Sequence, residues 1–269
     1  MQVHQGTALI TGASTGIGAV YAERLAQRGY DLILVARRRD RLVSLAERIA
    51  NETRRSVEVI AADLNDATSL ATVEAKLKED ASITLLVNNA GVGTHTPLLD
   101  SDVDAMTRMI DLNVSALTRL TYAVVPGFVS RGKGEIINIS SIVGIAPERL
   151  NGVYGGTKAF VLAFSRSLQH ELSRHGVKIQ AVLPGATATD FWQNGGLPVE
   201  KLNPAIVMSA ADMVDAALNG FDRDELFTIP ALQDAAKWDT FEAAREALLP
   251  ELSNRTPAPR YTIGNEELS

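Results

Sequence analysis

The chain has 269 residues, 46% hydrophobic and 22% charged, with a formal charge of −6 and no cysteine. The acidic balance gives nucleic-acid binding no electrostatic support, and the lack of cysteine excludes disulfides, thiolate metal sites and cysteine nucleophiles. No apolar run approaches the ~20 residues that span a bilayer, and Met1-Gln2-Val3-His4-Gln5-Gly6 lacks the basic segment and apolar core of a signal peptide. The expectation is a cytoplasmic protein with neither membrane nor nucleic acid as partner.

Short β-branched runs alternate with helix-like segments along the chain. Strands are expected at roughly 7–10, 32–35, 57–60, 83–87, 136–139 and 177–182, with an edge strand at 226–229. Most are continuously apolar, the pattern of strands covered on both faces in a parallel sheet. Helices are expected at roughly 16–28, 38–52, 66–79, 101–130, 155–175 and 210–220. This alternation implies an α/β fold, a single doubly wound Rossmann-type domain spanning 1–269 around a mostly parallel seven-stranded sheet. Two segments break the rhythm. Residues 186–209 carry Asn194-Gly195-Gly196 and Pro198 with no clear period, as in a lid loop, and 250–269 reads as an extended tail.

The first strand runs into Thr11-Gly12-Ala13-Ser14-Thr15-Gly16-Ile17-Gly18 and then a helix. Glycines at 12, 16 and 18 allow a tight turn and close approach of backbone to a pyrophosphate, which the free N–H groups of the helix start would bind. Ser14, Thr15 and Ile17 lie in that turn. The second strand ends in Ala36-Arg37-Arg38-Arg39-Asp40. A carboxylate at its end would suit the 2′-hydroxyl of NAD; here arginine follows directly, and a guanidinium binds a 2′-phosphate through forked hydrogen bonds. NADP(H) is expected ahead of NAD(H), with Arg37 as ligand. A solvated basic loop is the plainer reading of the same residues.

Tyr154 and Lys158 stand four apart, on one face of a helix. A fixed positive charge beside a phenol lowers its pKa from about 10 toward the range useful for general acid–base work. A serine hydroxyl upstream could bond a substrate oxygen.

Assembled, these residues resemble the short-chain dehydrogenase/reductase superfamily over most of residues 6–230. The resemblance rests on Thr11 to Gly18, Asp63 after the third strand, Asn88-Asn89-Ala90-Gly91 after the fourth, Asn113, Ser141, Tyr154, Lys158, and Pro184-Gly185-Ala186-Thr187-Ala188-Thr189. It implies a catalytic tetrad of Asn113, Ser141, Tyr154 and Lys158, with Ser141 chosen over Ser140 because it lies 13 residues before Tyr154. It implies that Asp63 and Leu64 meet adenine, that Asn89, Ala90 and Gly91 line the adenosine side, and that Tyr154, Lys158, Pro184, Gly185, Thr187 and Thr189 contact the nicotinamide half. Hydride transfer between the cofactor and a carbonyl or alcohol carbon follows from the resemblance, as does a homodimer or homotetramer.

The expected pocket wall is Val92, Gly93, Ile142, Val143, Ala146, Leu150, Phe191, Trp192 and Leu197, mainly apolar, which favours a small neutral aldehyde or ketone. Phe191 and Trp192 could equally pack the lid onto the body, and His95 could enter the pocket or sit in a solvated loop. Ala159, Ala163, Ser167 and His170 share a helix face that could meet a second subunit or the chain's own sheet. No histidine–carboxylate cluster suggests a metal. Rival functions are an NADP(H)-binding sensor or scaffold without turnover, and an NAD-dependent alcohol or hydroxy acid dehydrogenase.

Overall fold

The structure, a computed structural model, describes residues 4–261. Seven strands form one parallel sheet: β1 (Thr7–Thr11), β2 (Asp31–Ala36), β3 (Val57–Ala61), β4 (Ile83–Asn88), β5 (Gly134–Ile139), β6 (Val177–Val182) and, in this sheet, β9 (Phe227–Thr228). Their order is β3-β2-β1-β4-β5-β6-β9, and every neighbouring pair is parallel. The expected strands all form, within two residues at each end. The central strands are buried on both faces, as β1 shows with all five residues inside, whereas the edge strand β3 is only partly buried, with Glu58 and Ala61 exposed.

Helices α1 (Gly16–Gln27), α2 (Arg39–Thr53) and α8 (Ala210–Asp222) close one face. Their Tyr21, Leu25, Leu42, Ile49, Val214 and Phe221 pack with strand residues such as Ile10, Leu34 and Val87. The other face is covered by α3 (Ala67–Glu79), α5 (Leu117–Arg131) and α6 (Gly152–Leu172), where Leu70, Val73, Leu120, Val124, Phe128 and Leu168 meet Leu9, Ile33, Leu86 and Ile136. The order reverses between β1 and β4. The loops leaving their carboxyl ends therefore diverge to opposite faces and open a crevice.

The expected helix at 101–130 is a continuous run of α4 (Val103–Ile110), π-helical turns over Asp111–Ala116, and α5. Helix α6 begins at Gly152 rather than 155, because Asn151 caps it by accepting from the backbone N–H groups of Val153 and Tyr154 at 2.9 and 3.2 Å. Segment 186–209 contains β7 (Thr187–Ala188), the short helix α7 (Asp190–Asn194) and β8 (Met208–Ser209), with β7 and β8 paired in parallel. These residues belong to a compact unit that ends at Ala231. A second unit starts at Leu232 and holds α9 (Ala236–Leu248), a helix that the sequence reading does not anticipate. The described part of the 250–269 tail contains short 3-10 turns at Leu249–Glu251 and Pro259–Tyr261; the rest lies outside the described residues. Among the described residues no helix is long and apolar enough to cross a membrane.

Candidate active site

The crevice floor is built by hydrogen bonds between the β1 and β4 loops. Thr11 Oγ1 donates to the Val87 carbonyl at 3.3 Å and accepts from the N–H groups of Asn89 and Ala90, each at 3.0 Å. Asn89 Nδ2 donates to the carbonyls of Thr11 and Gly12 at 2.9 and 3.2 Å. The turn is then too tight for side chains. Gly12 has φ +66°, and a Cβ there would stand 2.8 Å from Asn89 Nδ2 and 2.9 Å from the Ala90 Cα. A Cβ on Gly18 would lie 2.4 Å from the Gly12 carbonyl oxygen.

Helix α1 starts above this turn. Thr15 occupies its N-cap, its side chain makes no capping hydrogen bond among the described residues, and the first turn carries no acidic residue. The opening N–H groups of a helix have no partner within it, so backbone donors and the positive end of α1 remain available to an anion. Ser14, Thr15, Gly16 and Ile17 are each half-buried around that point. Thr189 is brought against Gly16, where an added Cβ would meet its methyl at 3.0 Å. Arg37 follows β2 directly and is exposed. Asp63, also exposed, accepts from Asn65 N–H at 3.0 Å, while Leu64 is buried. A tight glycine cradle, an uncapped helix start and a guanidinium beyond the second strand fit a dinucleotide bearing a 2′-phosphate.

The four residues of the expected tetrad lie around the start of α6 and the loop after β4. Tyr154 lies in the first turn of α6, 5% exposed, and Ser141 sits at the end of β5, 9% exposed. The Ser141 hydroxyl lies close enough to the Tyr154 phenol to favour its ionised form. Ser141 Oγ otherwise makes only long contacts, donating to the Pro184 carbonyl at 3.4 Å and accepting from Val143 N–H at 3.3 Å. Ser140, its neighbour, donates to the Lys158 carbonyl at 2.8 Å and is thereby committed to holding α6. Of the two serines, Ser141 therefore has the less committed hydroxyl.

Lys158 is buried, its Nζ donating to the Ile139 carbonyl at 2.9 Å and lying 5.8 Å from the Tyr154 ring centre. Burial lowers its pKa to about 8. The sequence argument has Lys158 lower the Tyr154 pKa. In the structure the phenol is instead raised, because burial outweighs the opposing hydrogen bond from Ser141.

Asn113 lies within the π-helical turns and is buried. Its Nδ2 donates to the Val92 carbonyl at 2.8 Å and to Thr157 Oγ1 at 3.0 Å, and its Oδ1 accepts from Val92 N–H at 2.9 Å. Thr157 in turn donates to the Tyr154 carbonyl at 2.8 Å. Asn113 so ties the loop after β4 to the helix bearing Tyr154 and Lys158. Gly91 passes between them, and a Cβ on it would lie 3.1 Å from Asn113 Oδ1 and 3.6 Å from Lys158 Nζ.

Thr187 is buried, and its carbonyl accepts from Trp192 Nε1 at 2.9 Å. Its hydroxyl donates to the Gly185 carbonyl at 3.2 Å, which tightens the turn after Pro184. Phe191 stacks obliquely on Tyr154, with ring centres 5.6 Å apart. It also lines an apolar pocket with Gly93, Leu150, Trp192 and Leu197, so packing and pocket lining are both true of it. Four residues of the expected wall are placed otherwise: Ile142 and Val143 pack beside Tyr154 in a small cluster, Val92 is 37% exposed with its backbone held by Asn113, and Ala146 is half-buried at the start of a 3-10 turn. Thr94, His95 and Gly195 line the pocket instead. Sequence reasoning also missed Asn151, whose place before a helix was a readable capping signal. Among the described residues no group of three or more histidine, aspartate or glutamate side chains could hold a metal.

The family model for short chain dehydrogenases matches residues 6–197. A short-chain dehydrogenase of Sphingobium yanoikuyae in complex with NADPH superposes with a TM-score of 0.93 at 49% identity, covering 96% of this chain and 100% of that one. A bulky-bulky ketone specific alcohol dehydrogenase of Comamonas testosteroni gives 0.89 at 45% identity, covering 97% of this chain and 100% of that one. The very-long-chain 3-oxoacyl-CoA reductase of Bos taurus is 37% identical over 186 residues, 68% of this chain and 59% of that protein. With this match lying over the crevice and the converging hydroxyls, the chain belongs to the short-chain dehydrogenase family and is an oxidoreductase acting on CH–OH or C=O groups.

Proposed function

We propose that this protein is an NADP(H)-dependent reductase of neutral, predominantly apolar ketones or aldehydes. The observation that carries the reading is the buried grouping of the Ser141 and Tyr154 hydroxyls with Lys158, and the Phe191 ring of the apolar pocket against Tyr154. The three relatives support it: one is named for its NADPH complex, one for ketone specificity and one as a 3-oxoacyl reductase.

The glycine turn from Gly12 to Gly18, Arg37, Asp63, Leu64, the Asn89-Ala90-Gly91 loop and the segment from Pro184 to Thr189 would hold the cofactor. When bound, NADPH supplies the hydride for the carbonyl carbon. Tyr154 donates its proton to the carbonyl oxygen; the raised pKa keeps the phenol protonated at neutral pH, the form that reduction uses. Ser141 donates a hydrogen bond to the same oxygen and stabilises its developing charge. It loses little in turning there, since its bond to Pro184 is long. Lys158 supplies a positive charge near Tyr154 below pH 8, and Asn113 fixes the spacing of the β4 loop from α6. Residues 186–209 act as the lid. Ala163, Ser167 and His170 are exposed on α6 rather than packed on the sheet, which suits a homodimer or homotetramer through that face.

The test is a titration with NADPH and NADH, followed by turnover of the Tyr154→Phe variant with a ketone. NADPH should bind at least about tenfold tighter than NADH, a difference of about 1.4 kcal/mol. The variant should bind NADPH normally and lose turnover. Preference for NADH would overturn the cofactor assignment. Binding of neither would overturn the enzyme reading, and turnover by the variant would remove Tyr154 as proton donor.

A further inference from the structure

We propose that His95 is a positioning residue, fastening the lid helix α7 so that Phe191 sits over Tyr154 and limits the room for a substrate's apolar substituents. The proposal rests on the reading of Tyr154 as the proton donor.

Helix α7 is tied at each end. At its start Asp190 pairs with Arg41 of α2, but the distance is 3.4 Å and the side chains are 44% and 58% exposed, so this pair contributes little. At its end the C-cap residue Gly195 gives its N–H to the Phe191 carbonyl at 2.9 Å. The Gly195 carbonyl accepts from His95 Nδ1, also at 2.9 Å. A carbonyl can only accept, so His95 must carry a hydrogen on Nδ1.

The chain reverses directly against the β4 loop at this point. A Cβ on Gly195 would stand 2.9 Å from the Gly93 carbonyl oxygen, and one on Gly196, where φ is +85°, would stand 3.2 Å from His95 Cε1. Gly93 in turn lies beneath the Phe191 and Tyr154 rings, 2.5 and 2.9 Å from where its Cβ would be. The His95 bond, much closer than the 3.5 Å contact that Thr94 Oγ1 gives the same carbonyl, thus closes a loop of contacts running from His95 through Gly195 and Phe191 to Tyr154 and back through Gly93. His95 and Phe191 line the same pocket. The His95 ring bonds the lid at Gly195, so its effect on the reaction passes through the lid.

The test uses the full chain with Trp238→Phe, which leaves Trp192 of α7 as the single tryptophan of the two. His95→Ala, His95→Asn and His95→Gln are compared in that background. Asparagine places its amide N–H near the position of Nδ1, whereas glutamine extends toward that of Nε2. With propiophenone and saturating NADPH, His95→Ala should raise KM about fivefold, the loss of one hydrogen bond, with kcat changed less than about twofold. Acrylamide quenching of Trp192 should rise in the same variant, and NADPH affinity should hold. His95→Asn should restore both KM and quenching; His95→Gln should not. Unchanged quenching in His95→Ala, or equal behaviour of the asparagine and glutamine variants, would overturn the proposal. So would a fall in kcat with KM unchanged. If the parent protein binds NADPH but turns over no ketone, the reductase reading fails, while the quenching series still decides whether His95 fastens the lid.

Discussion

Replacing Lys158 by methionine should change how stability depends on pH, in a direction fixed by its burial. The unfolded lysine titrates near 10.5 and the native one at about 8. Below pH 8 both states are charged, and the native state bears the full cost of an enclosed ammonium. Between pH 8 and 10.5 the native state has shed its proton while the unfolded state keeps it. The unfolded state then binds more protons, so wild-type stability rises with pH across that window. Methionine has no such proton. The stability of wild type minus that of Lys158→Met should therefore climb by about 1 kcal/mol from pH 7 to 9, and by about 2 kcal/mol by pH 9.5. Losing the bond to the Ile139 carbonyl shifts the whole difference curve without tilting it. Urea unfolding of both proteins without cofactor at half-unit steps from pH 7 to 9.5 measures it. The range stops below 10, where phenols of the unfolded chain begin to ionise. A flat difference curve would refute the argument, and a falling one would mean that the buried ammonium is stabilised in the native state.

Two further contrasts separate chemistry from scaffolding. Ser141→Ala should lower kcat by about two orders of magnitude, as expected for loss of an oxyanion donor, with little change in melting temperature. Ser140→Ala should do the reverse, losing about 1–2 kcal/mol because the Lys158 carbonyl forfeits its partner, while turnover survives; kinetics and thermal melts on both variants check this. Gly18→Ala forces a Cβ to within 2.4 Å of the Gly12 carbonyl oxygen, and should cost about 1–3 kcal/mol together with most NADPH affinity. Gly156→Ala, where nothing lies within 4 Å in the second turn of α6, should instead stabilise by about 0.5–1 kcal/mol, read from the same unfolding curves.

The sheet was legible because burial on both faces leaves a signature that local sequence carries alone. Residues 177–182 are expected and observed as a strand with identical bounds. The helix at 101–130 was legible as a run, but its π-helical turns at Asp111–Ala116 were not, since a shift in hydrogen-bond register leaves the side-chain pattern nearly intact. Helix α9 had end signals, with Asp234 accepting from the Ala236 N–H at 3.1 Å and Pro250 just past its end, but none of its residues is buried, so no apolar stripe marked it. Helix α7, with five residues, is too short for any period to show.

The site divides in the same way. Tyr154, Lys158, Ser141 and the glycines stand at spacings that backbone geometry dictates, so a motif can specify them. What holds them in place joins residues distant in sequence. Asn88 Nδ2 donates to Thr121 and to Asn138, and Asn138 donates to Ser165, a buried ladder crossing from α5 through β4 and β5 to α6. Asn113, Asn151 and Ser140 then clamp the backbone of the two loops and the helix start around Tyr154. Each of these amides and hydroxyls, read singly, is one more polar residue near a turn. Their worth lies in bonds made within a low-dielectric interior, where a partner lost is expensive, and in this ladder every amide nitrogen named is paired while Asn88 Oδ1 has no partner among the described residues. A hydroxyl placed three residues beyond such a network, as Ser141 is beyond Asn138, inherits its position from the sheet. That is why the reacting groups can be written in a short motif, while the precision of their placement is spread across the α5, α6 and sheet residues that no motif contains.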